Sequence, residues 1–342
     1  MYLTLPSNAL LTGFFPSEIE GSSDRSQRPL DPTHARRIKD YILDNPTAYA
    51  LGALVYAVDK EGVFEEVLPG TGIGVLRLPL DAKLRSIDGQ HRREGLRQSI
   101  ATVPELQSQS TAVVVYVEPD LAERRQMFSD MNTTARKVSK TLGVSFDSRD
   151  PFARAATALS DTHPLLTGRV DRTNPRVLSG SGDIYTLSAV HDALKRLFVG
   201  PVGRVKDTSK FDEGAIYTLG GNFFDVLATS RPELTTTSPA DIDGLRGRSI
   251  ILSSTTLRVL ASAVWTASQA LDSIESAIEA LAKALPTLDF EPYASIWQET
   301  GFVSPGHSTP NARSQEMKSA SDALASLLLE TSQSNRSNGD FN

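Results

Sequence analysis

A dense group of polar residues lies at 86–96 of this 342-residue chain, in the stretch SIDGQHRREGL. It ends a segment that predicts a strand, and a helical pattern begins at its first glycine. The first N–H groups of a helix lack intrahelical partners, and the helix dipole adds partial positive charge there. Because Gly89 permits close approach to the backbone and Arg92 supplies a charged donor, the stretch predicts a site for phosphate or another anion.

Two features of this turn leave its role open. The Asp88 carboxylate could cap the helix and occupy the anion position itself, or it could hold Mg²⁺ or a ligand hydroxyl beside bound phosphates. Arg92 and Arg93 are adjacent, so they point in different directions on a helix and at most one of them can face the ligand. Taken alone, a capped helix with surface arginines and a structural His91 is the commoner explanation of such a sequence.

Two further polar stretches lie near the ends of predicted elements. The stretch DRSQRPLD precedes the first predicted helix and contains Gln27 and Arg28. The stretch NTTARKVSK follows a later helix and contains Asn132 and Arg136. Each stretch could simply be solvated, but three such clusters in one small domain could also converge on a single edge. The central hypothesis is that Arg28, Arg92 and Arg136 surround one cavity that holds negative charge.

Composition and charge narrow the classes of function. The net charge of −6 argues against a protein that binds nucleic acid over its whole surface. Residues 83–97 nevertheless carry five basic and two acidic side chains, and residues 124–140 carry five basic and one acidic. Such concentrations of positive charge in an acidic protein favour a local anion site, although two solvated helix faces would give the same pattern.

The absence of cysteine excludes disulfides, thiolate zinc sites and cysteine nucleophiles. The five histidines are scattered without the spacing of metal ligands, so we predict no metal site. No apolar run approaches the ~18 residues that a membrane span needs, and the N-terminus lacks the basic region of a signal peptide. We therefore expect a cytoplasmic protein with no membrane partner.

The elements that must position these residues form an α/β pattern. Asp31 and Pro32 fit the N-cap and first position of a helix, and the dipeptide Asn45-Pro46 ends it. The order helix, strand, strand, helix, strand, helix then predicts a compact first domain at 1–145. Its predicted strands are at 50–59, 83–88 and 110–120, and its later helices are at 89–100 and 120–132.

The pattern changes at SFDSRDP, after which most of the sequence is helical. We predict a helical domain at 146–332 and a disordered tail at 333–342. Residues 255–284 predict one long helix with an apolar stripe, which usually packs internally but could also form a dimer interface. The predicted fold class is α+β, with an N-terminal α/β domain followed by a mostly α-helical domain.

The pentapeptide DGQHR, at 88–92, resembles the signature of the DGQHR-domain family, which includes the DNA sulfur modification proteins DndB. The segment RRQMFSDMNTTARKVSKTL, at 124–142, is similar to the second motif of that family, F-x-x-x-N-x-x-x-x-x-x-S. RSQRPLDPTHARRIKDYIL, at 25–43, fits its N-terminal pattern. The resemblance therefore covers the predicted first domain.

The wider resemblance is to the ParB/sulfiredoxin fold, in which three elements surround bound nucleotide phosphates. It implies that Gln27 and Arg28 form the first element and that Asn132 and Arg136 form the third. Gln90 stands where the ParB box has an acidic residue, which argues against metal-assisted hydrolysis, and the sulfiredoxin cysteine has no counterpart here. The implied second element consists of Gly89, Gln90, His91 and Arg92, with Asp88 directly before it.

The resemblance implies a regulator that binds promoter DNA of a phosphorothioate modification operon and represses its transcription. Other DNA modification proteins and a second copy of the chain are the further partners expected. Phosphate contacts position a protein without reading sequence, so base readout would need another element, for which the helix predicted at 189–198 is a candidate. The implied contacts with the DNA backbone are Arg93, Arg97, Arg124, Arg125, Lys137 and Lys140.

Two alternatives remain. The first is an NTP-binding or NTP-hydrolysing accessory enzyme of sulfur or 7-deazaguanine DNA modification, in which the same arginines hold ATP or another nucleotide and Asp88 lies near Mg²⁺. The chain has no Walker-type glycine loop, so this nucleotide site would be of the ParB type, and we assign no catalytic residue. The second alternative is a scaffold whose polar clusters bind a partner protein.

Overall fold

The computed structural model describes residues 1–15, 30–117, 119–134, 138–201 and 208–339, and its fold is mixed α+β. The chain divides into two compact units, residues 1–136 and 137–342. This division differs from the predicted boundary at 145–146, because the short helix Lys140–Phe146 belongs to the second unit. The Thr141 hydroxyl of that helix lies 3.0 Å from the Ser188 hydroxyl of the same unit.

The first unit combines a four-stranded sheet, a separate hairpin and helices. A 3₁₀ helix at Pro104–Ser108 precedes the last strand. Within the described residues its strands are β1 (Tyr2–Thr4), β2 (Leu54–Val58), β3 (Val63–Leu68), β4 (Ile73–Arg77), β5 (Leu84–Asp88) and β6 (Val113–Val117). Its α-helices are α1 (Asn8–Phe14), α2 (Pro32–Asp44), α3 (Gln90–Ile100) and α4 (Leu121–Thr134).

The strand order in the main sheet is β1-β6-β2-β5, and β3 pairs with β4 in the hairpin. Strands β2 and β6 are parallel, whereas the pairs β1/β6 and β2/β5 are antiparallel. The strands predicted at 50–59, 83–88 and 110–120 correspond to β2, β5 and β6. The sequence analysis did not predict α1 or the hairpin.

The sheet is covered on both faces, which explains why every residue of β2 is buried. Alternate side chains of a strand point to opposite faces. On one face, β2 packs with residues of α1, α2 and α3, namely Leu11, Ile42, Leu54, Tyr56, Val58 and Leu96. On the other face it packs with β5 and α4, namely Val55, Ala57, Ile87, Met127, Phe128 and Met131.

Helix α2 begins and ends where the sequence predicts. The Asp31 carboxylate accepts a hydrogen bond from the backbone N–H of Thr33 at 2.8 Å, and Pro32 is the first helical residue. Asn45 is the C-cap. Asp31 and Pro32 therefore act as the N-cap and the first-position proline that the sequence predicts.

The second unit is mostly helical, as predicted, and has a large core of its own. Its described strands are β7 (Val170–Asp171) and β8 (Tyr185–Thr186). Helix α13 includes residues 333–339, for which the sequence analysis expected disorder. The α-helices are α5 (Lys140–Phe146), α6 (Pro151–Thr162), α7 (Leu187–Val199), α8 (Glu213–Ser230), α9 (Pro239–Arg248), α10 (Ser254–Leu271), α11 (Ile274–Ala284), α12 (Ser295–Glu299) and α13 (Ser314–Gly339).

The single long helix predicted at 255–284 is wrong, because two helices, α10 and α11, occupy this segment. Asp272 adopts a left-handed conformation with φ 64°, which ends α10. The Ser273 hydroxyl then caps α11 by accepting the backbone N–H of Ser276 at 3.0 Å. Leu257 and Leu260, from the predicted apolar stripe, are fully buried, so this stripe packs in the core of the second unit.

None of the helices in the described part of the chain combines the length and apolar character that a bilayer span requires.

Candidate functional site

The turn from β5 into α3 requires glycine. Gly89 is the N-cap of α3 and has a φ of 101°, in the left-handed region that side chains disfavour. A Cβ atom at this position would lie 2.4 Å from Cδ2 of Leu54 and 3.3 Å from Nη2 of Arg92. No side chain caps the helix here, so the N–H groups of its first turn receive no side-chain acceptor at the cap.

Asp88 does not cap α3. Its Oδ2 accepts a hydrogen bond from Nη2 of Arg92 at 2.5 Å, in an ion pair whose side chains are 24% (Arg92) and 37% (Asp88) exposed. Of the two roles considered for Asp88, helix capping is therefore wrong. A pair this accessible to water contributes little to stability, so Arg92 can exchange its carboxylate partner for an incoming anion at small cost.

The loop before β2 makes room for the Arg92 guanidinium. A Cβ atom at Gly52 would lie 2.7 Å from Nη1 of Arg92. Arg92 therefore lies close to the backbone at two glycines, Gly52 and Gly89, with one edge of its guanidinium held by Asp88. This arrangement places the Arg92 guanidinium, paired with Asp88, beside the N-terminus of α3.

His91 has a structural contact that links α3 to α2. Its Nε2 accepts the backbone N–H of Asp31 at 2.8 Å, and its ring stacks on His34 with a centroid distance of 4.8 Å. Burial lowers the pKa of His91, and the positive charge of a protonated His34 lowers it further. Because Nε2 acts as an acceptor, we assign the neutral tautomer that carries its proton on Nδ1.

The contact between His91 and Asp31 brings the last residue of DRSQRPLD to the first turn of α3. Gln90 is buried in the first turn of α3. Gln27, Arg28 and Arg136 lie outside the described residues, and so does the side chain of Asn132, whose backbone belongs to α4. The shared cavity of Arg28, Arg92 and Arg136 therefore stays a prediction.

A family model for DndB, described as DNA-sulfur modification-associated, matches residues 3–329. The chain belongs to the DndB family. This match extends across both units, whereas the motifs that indicated the resemblance lie mainly in the first. No curated protein and no solved structure matches the chain. Membership of the DndB family implies involvement in DNA sulfur modification.

Two of the DNA contacts expected in this DndB-family chain are buried instead of exposed. Arg93 is 7% exposed and donates a hydrogen bond to the carbonyl oxygen of Thr12 at 2.8 Å. Arg124 is 6% exposed, and its Nε donates to the carbonyl oxygen of Asp120 at 3.3 Å. Neither guanidinium can reach a phosphate backbone from this position, so the structure corrects both assignments.

The other expected DNA contacts are divided between the two units. Arg97 and Arg125 are exposed in the first unit, where Arg97 forms a 2.7 Å ion pair with Glu94. Lys140 is exposed in the second unit and binds the Asp192 carboxylate at 2.6 Å. Lys137 lies outside the described residues. Arg97, Arg125 and Lys140 are thus the described members of this set that a large polyanion can approach.

The candidate base-reading segment, 189–198, belongs to α7. Much of this helix packs in the core of the second unit, including Leu187, Ala189, Val190, His191, Ala193, Leu194 and Leu197. A recognition helix must present one face to a groove along several turns. Helix α7 is therefore mainly a core element of the second unit.

The sequence analysis missed several residues that shape these sites. Gly52 had no signal, because it lies within the segment predicted as a strand at 50–59. In the second unit, the buried His191 lies 3.0 Å from Asp150 and 3.3 Å from Asp192. Lys140 completes this network through Asp192. Asp192 is next to His191 in the sequence, but Asp150 and Lys140 are far from it. Only the fold therefore identifies these residues as a cluster.

Proposed function

We propose that this DndB-family chain is a DNA-binding regulator, a transcriptional repressor, of a DNA phosphorothioate modification system. The observation that carries the proposal is the arrangement at 88–92, where an N-terminus without a side-chain cap, Gly89 and a partly exposed Arg92 occupy one place. Backbone N–H groups with an arginine beside them suit the phosphate oxygens of DNA.

Binding at this turn would exchange one anion for another. In the free protein Arg92 is paired with Asp88. A DNA phosphate at the start of α3 would receive hydrogen bonds from first-turn N–H groups and from Arg92, while Asp88 turns to solvent. Since both side chains of the pair are partly exposed, this rearrangement needs no movement of the core.

The fold of the first unit supports a ParB/sulfiredoxin-like assignment, which we include in the proposal. A small sheet with helices on both faces delivers the DGQHR turn at the end of β5, directly before α3. We further propose that Gln27, Arg28, Asn132 and Arg136 complete the anion site. Arg97 and Arg125 would add contacts along the backbone of the promoter DNA.

The geometry favours a regulator over an NTP-hydrolysing enzyme. A catalytic Mg²⁺ at this turn would need the Asp88 carboxylate, and that carboxylate is engaged by Arg92. Either ligand would break this pair, but a Mg²⁺-bound triphosphate also needs Asp88 to bind the cation, whereas a DNA phosphate needs only Arg92.

The proposal is tested by binding of the full-length chain to the promoter of its own modification operon. We expect fluorescence anisotropy to give tighter binding to this fragment than to an unrelated duplex of equal length and base composition. In a reporter strain, expression of the chain should lower transcription from the same promoter. Equal binding to both duplexes together with unchanged reporter transcription would contradict the proposal.

A further inference from the structure

The second unit contains a cavity of about 340 Å³ whose charged lining is mostly cationic. Helix α7 contributes Asp192, Lys195 and Arg196, α5 contributes Lys140, and α10 contributes Arg258. Positions 192, 195 and 196 lie on one face of α7, because residues three and four apart are neighbours on a helix. Four basic side chains therefore face one carboxylate around a single space.

The one carboxylate of this lining is already engaged. Asp192 accepts hydrogen bonds from Nζ of Lys140 at 2.6 and 2.7 Å and lies 3.3 Å from Nδ1 of His191. Burial alone would raise the pKa of Asp192, but its bonds with His191 and Lys140 outweigh this effect and lower the pKa to about 2. Asp192 is thus hydrogen-bonded to Lys140 and His191, and its charge acts on Arg196 without a direct ion pair, which raises the pKa of Arg196 and partly offsets the effects of burial and of Arg258.

Arg196 and Arg258 form no ion pair within the described part of the chain. Arg196 donates to the carbonyl oxygen of Pro201, and Arg258 donates to the Ser254 carbonyl oxygen at 3.2 Å and the Thr255 hydroxyl at 3.1 Å. Burial lowers the pKa of Arg196, and the positive charge of Arg258 lowers it further. Two neighbouring guanidinium groups without a carboxylate repel each other, and a bound anion would relieve this repulsion.

One part of the cavity wall is apolar and lies at the end of α7. Val199, Gly200 and Pro201 form it where α7 ends. Gly200 has a φ of 84°, and a Cβ atom there would lie 2.5 Å from the Trp265 ring. Only glycine fits at this position, so the backbone at the end of α7 lies directly against the Trp265 ring. A ligand with a charged part and an apolar part matches a cavity of this kind.

We propose that this cavity binds a nucleotide, with its polyphosphate at Arg196 and Arg258 and its nucleoside against Val199 and Pro201. The volume is at the lower end of small-molecule sites, which are roughly 300–1,000 Å³, so a nucleotide fits and a DNA duplex does not. Lys140 and Lys195 would add positive charge around the phosphates. This site is separate from the DGQHR turn, and the inference does not depend on DNA binding by the first unit.

Titration calorimetry on the full-length chain, with ATP and inorganic tripolyphosphate as separate ligands, tests this inference. We expect both ligands to bind, ATP more tightly, because its nucleoside contacts the apolar wall. The double variant Arg196→Ala/Arg258→Ala removes two charge-assisted contacts and should weaken both affinities by about 100-fold. The control Arg176→Ala/Arg248→Ala removes the same charge at exposed positions outside the cavity and should leave them unchanged.

Thermal unfolding separates a binding role from a structural one. Without ligand, Arg258→Ala should change the melting temperature little, because relief of the repulsion from Arg196 offsets the loss of its hydrogen bonds to Ser254 and Thr255. With ATP, the wild-type chain should gain stability by mass action and Arg258→Ala should gain much less. A melting temperature lowered without ligand, together with an ATP-induced gain equal to that of the wild type, would assign Arg258 a structural role and overturn the proposal.

Three results in the calorimetry would also overturn it. They are no binding of either ligand to the wild-type chain, affinities unaffected by Arg196→Ala/Arg258→Ala, and loss of ATP binding in Arg92→Ala. The last result would place the nucleotide in the first unit. The variant Arg196→Ala/Arg258→Ala could also lose affinity for a short DNA duplex while its affinities for ATP and tripolyphosphate stay unchanged. In that case the cavity rim would be a DNA contact and the nucleotide assignment would be wrong.

Discussion

The imidazole of His91 accepts a hydrogen bond from the backbone N–H of Asp31 at 2.8 Å, across a separation of 60 residues. This bond joins the first turn of α3 to the N-cap of α2. It gives the histidine of the DGQHR pentapeptide a structural role and holds Asp31 beside the first turn of α3. In the proposed function, Arg92, one position further, faces the DNA phosphate.

The first prediction concerns the pH dependence of this contact. Burial and His34 lower the pKa of His91, whereas Asp31 and Asp88 act in the opposite direction. The stabilising contribution of His91 is therefore present above about pH 6.5, the ordinary pKa, and is lost as the pH falls towards the lower folded-state value. After correction for the pH dependence of intrinsic exchange, the amides of α2 and α3 should be less protected from hydrogen exchange at about pH 5 than at about pH 8.

The variant His91→Gln supplies the control, because an amide oxygen can accept the Asp31 N–H without titrating. At about pH 8 the variant and the wild type should protect these amides alike, and at about pH 5 the variant should protect them better. An equal difference between the two proteins at both pH values would refute a protonation effect.

The second prediction is the opposite pH effect in the second unit. Burial alone would lower the pKa of His191, but its bonds with Asp150 and Asp192 raise it. Its contribution is therefore fully present below about pH 6.5 and is lost as the pH rises through the raised value. His191→Gln should lower the free energy of unfolding by about 1–3 kcal/mol at about pH 6 and by less at higher pH.

Tryptophan fluorescence measures this effect selectively, because both tryptophans, Trp265 and Trp297, belong to the second unit. Urea unfolding curves of His191→Gln and the wild type should converge as the pH is raised. The exposed His307 provides a matched control, and His307→Gln should leave the curve unchanged at every pH. Identical curves for His191→Gln and the wild type at about pH 6 would rule out the proposed network.

The third prediction tests the turn itself. Gly89→Ala forces a side chain into a left-handed conformation and against Leu54, so it should destabilise the first unit by about 2–4 kcal/mol. Gly13→Ala, in α1, meets no atom within 4 Å and should stabilise the same unit by about 0.5–1 kcal/mol. Hydrogen exchange of β5 and β6 amides reports both changes. Equal protection in the two variants would show that the turn tolerates a side chain.

Much of the first unit is predictable because its elements have strong local signals. Asp31 and Pro32 act as predicted at the start of α2, and valine-rich β6 forms where the sequence is most apolar. The hairpin β3–β4 escaped prediction because its residues are largely exposed and lie among glycines and prolines, so no buried face imposes an alternating pattern. The sequence analysis also did not predict the break between α10 and α11, because the apolar stripe continues past Asp272.

The candidate site was predictable only in part. The adjacent positions of Arg92 and Arg93 predicted that their side chains diverge, and they do. That Arg93 is the buried member depends on the Thr12 carbonyl, 81 residues away, and no local pattern indicates such a partner. In the same way, the space that Gly52 leaves for Arg92 arises only when β2 and β5 pair.

The fourth prediction distinguishes a DNA-binding site from a nucleotide-hydrolysing one. In the proposed regulator, Asp88 competes with DNA phosphate for Arg92, so Asp88→Asn should tighten promoter binding by about threefold to tenfold at low salt. In an NTP-hydrolysing enzyme the same change would abolish Mg²⁺-dependent phosphate release. The control Glu65→Gln removes the partner of Arg77 in the hairpin and should not alter DNA affinity. Weaker promoter binding by Asp88→Asn would contradict the competition.

The most direct test of the account measures promoter affinity of the wild type, Arg92→Ala and Arg77→Ala over a range of salt concentrations. Arg77 is a matched control, because it also pairs with a carboxylate, Glu65, but lies outside the site. If Arg92 contacts a phosphate, its loss should weaken binding and reduce the slope of log K against log salt by about 1, with Arg77→Ala unchanged. An affinity and a slope for Arg92→Ala equal to those of the wild type would contradict the central claim.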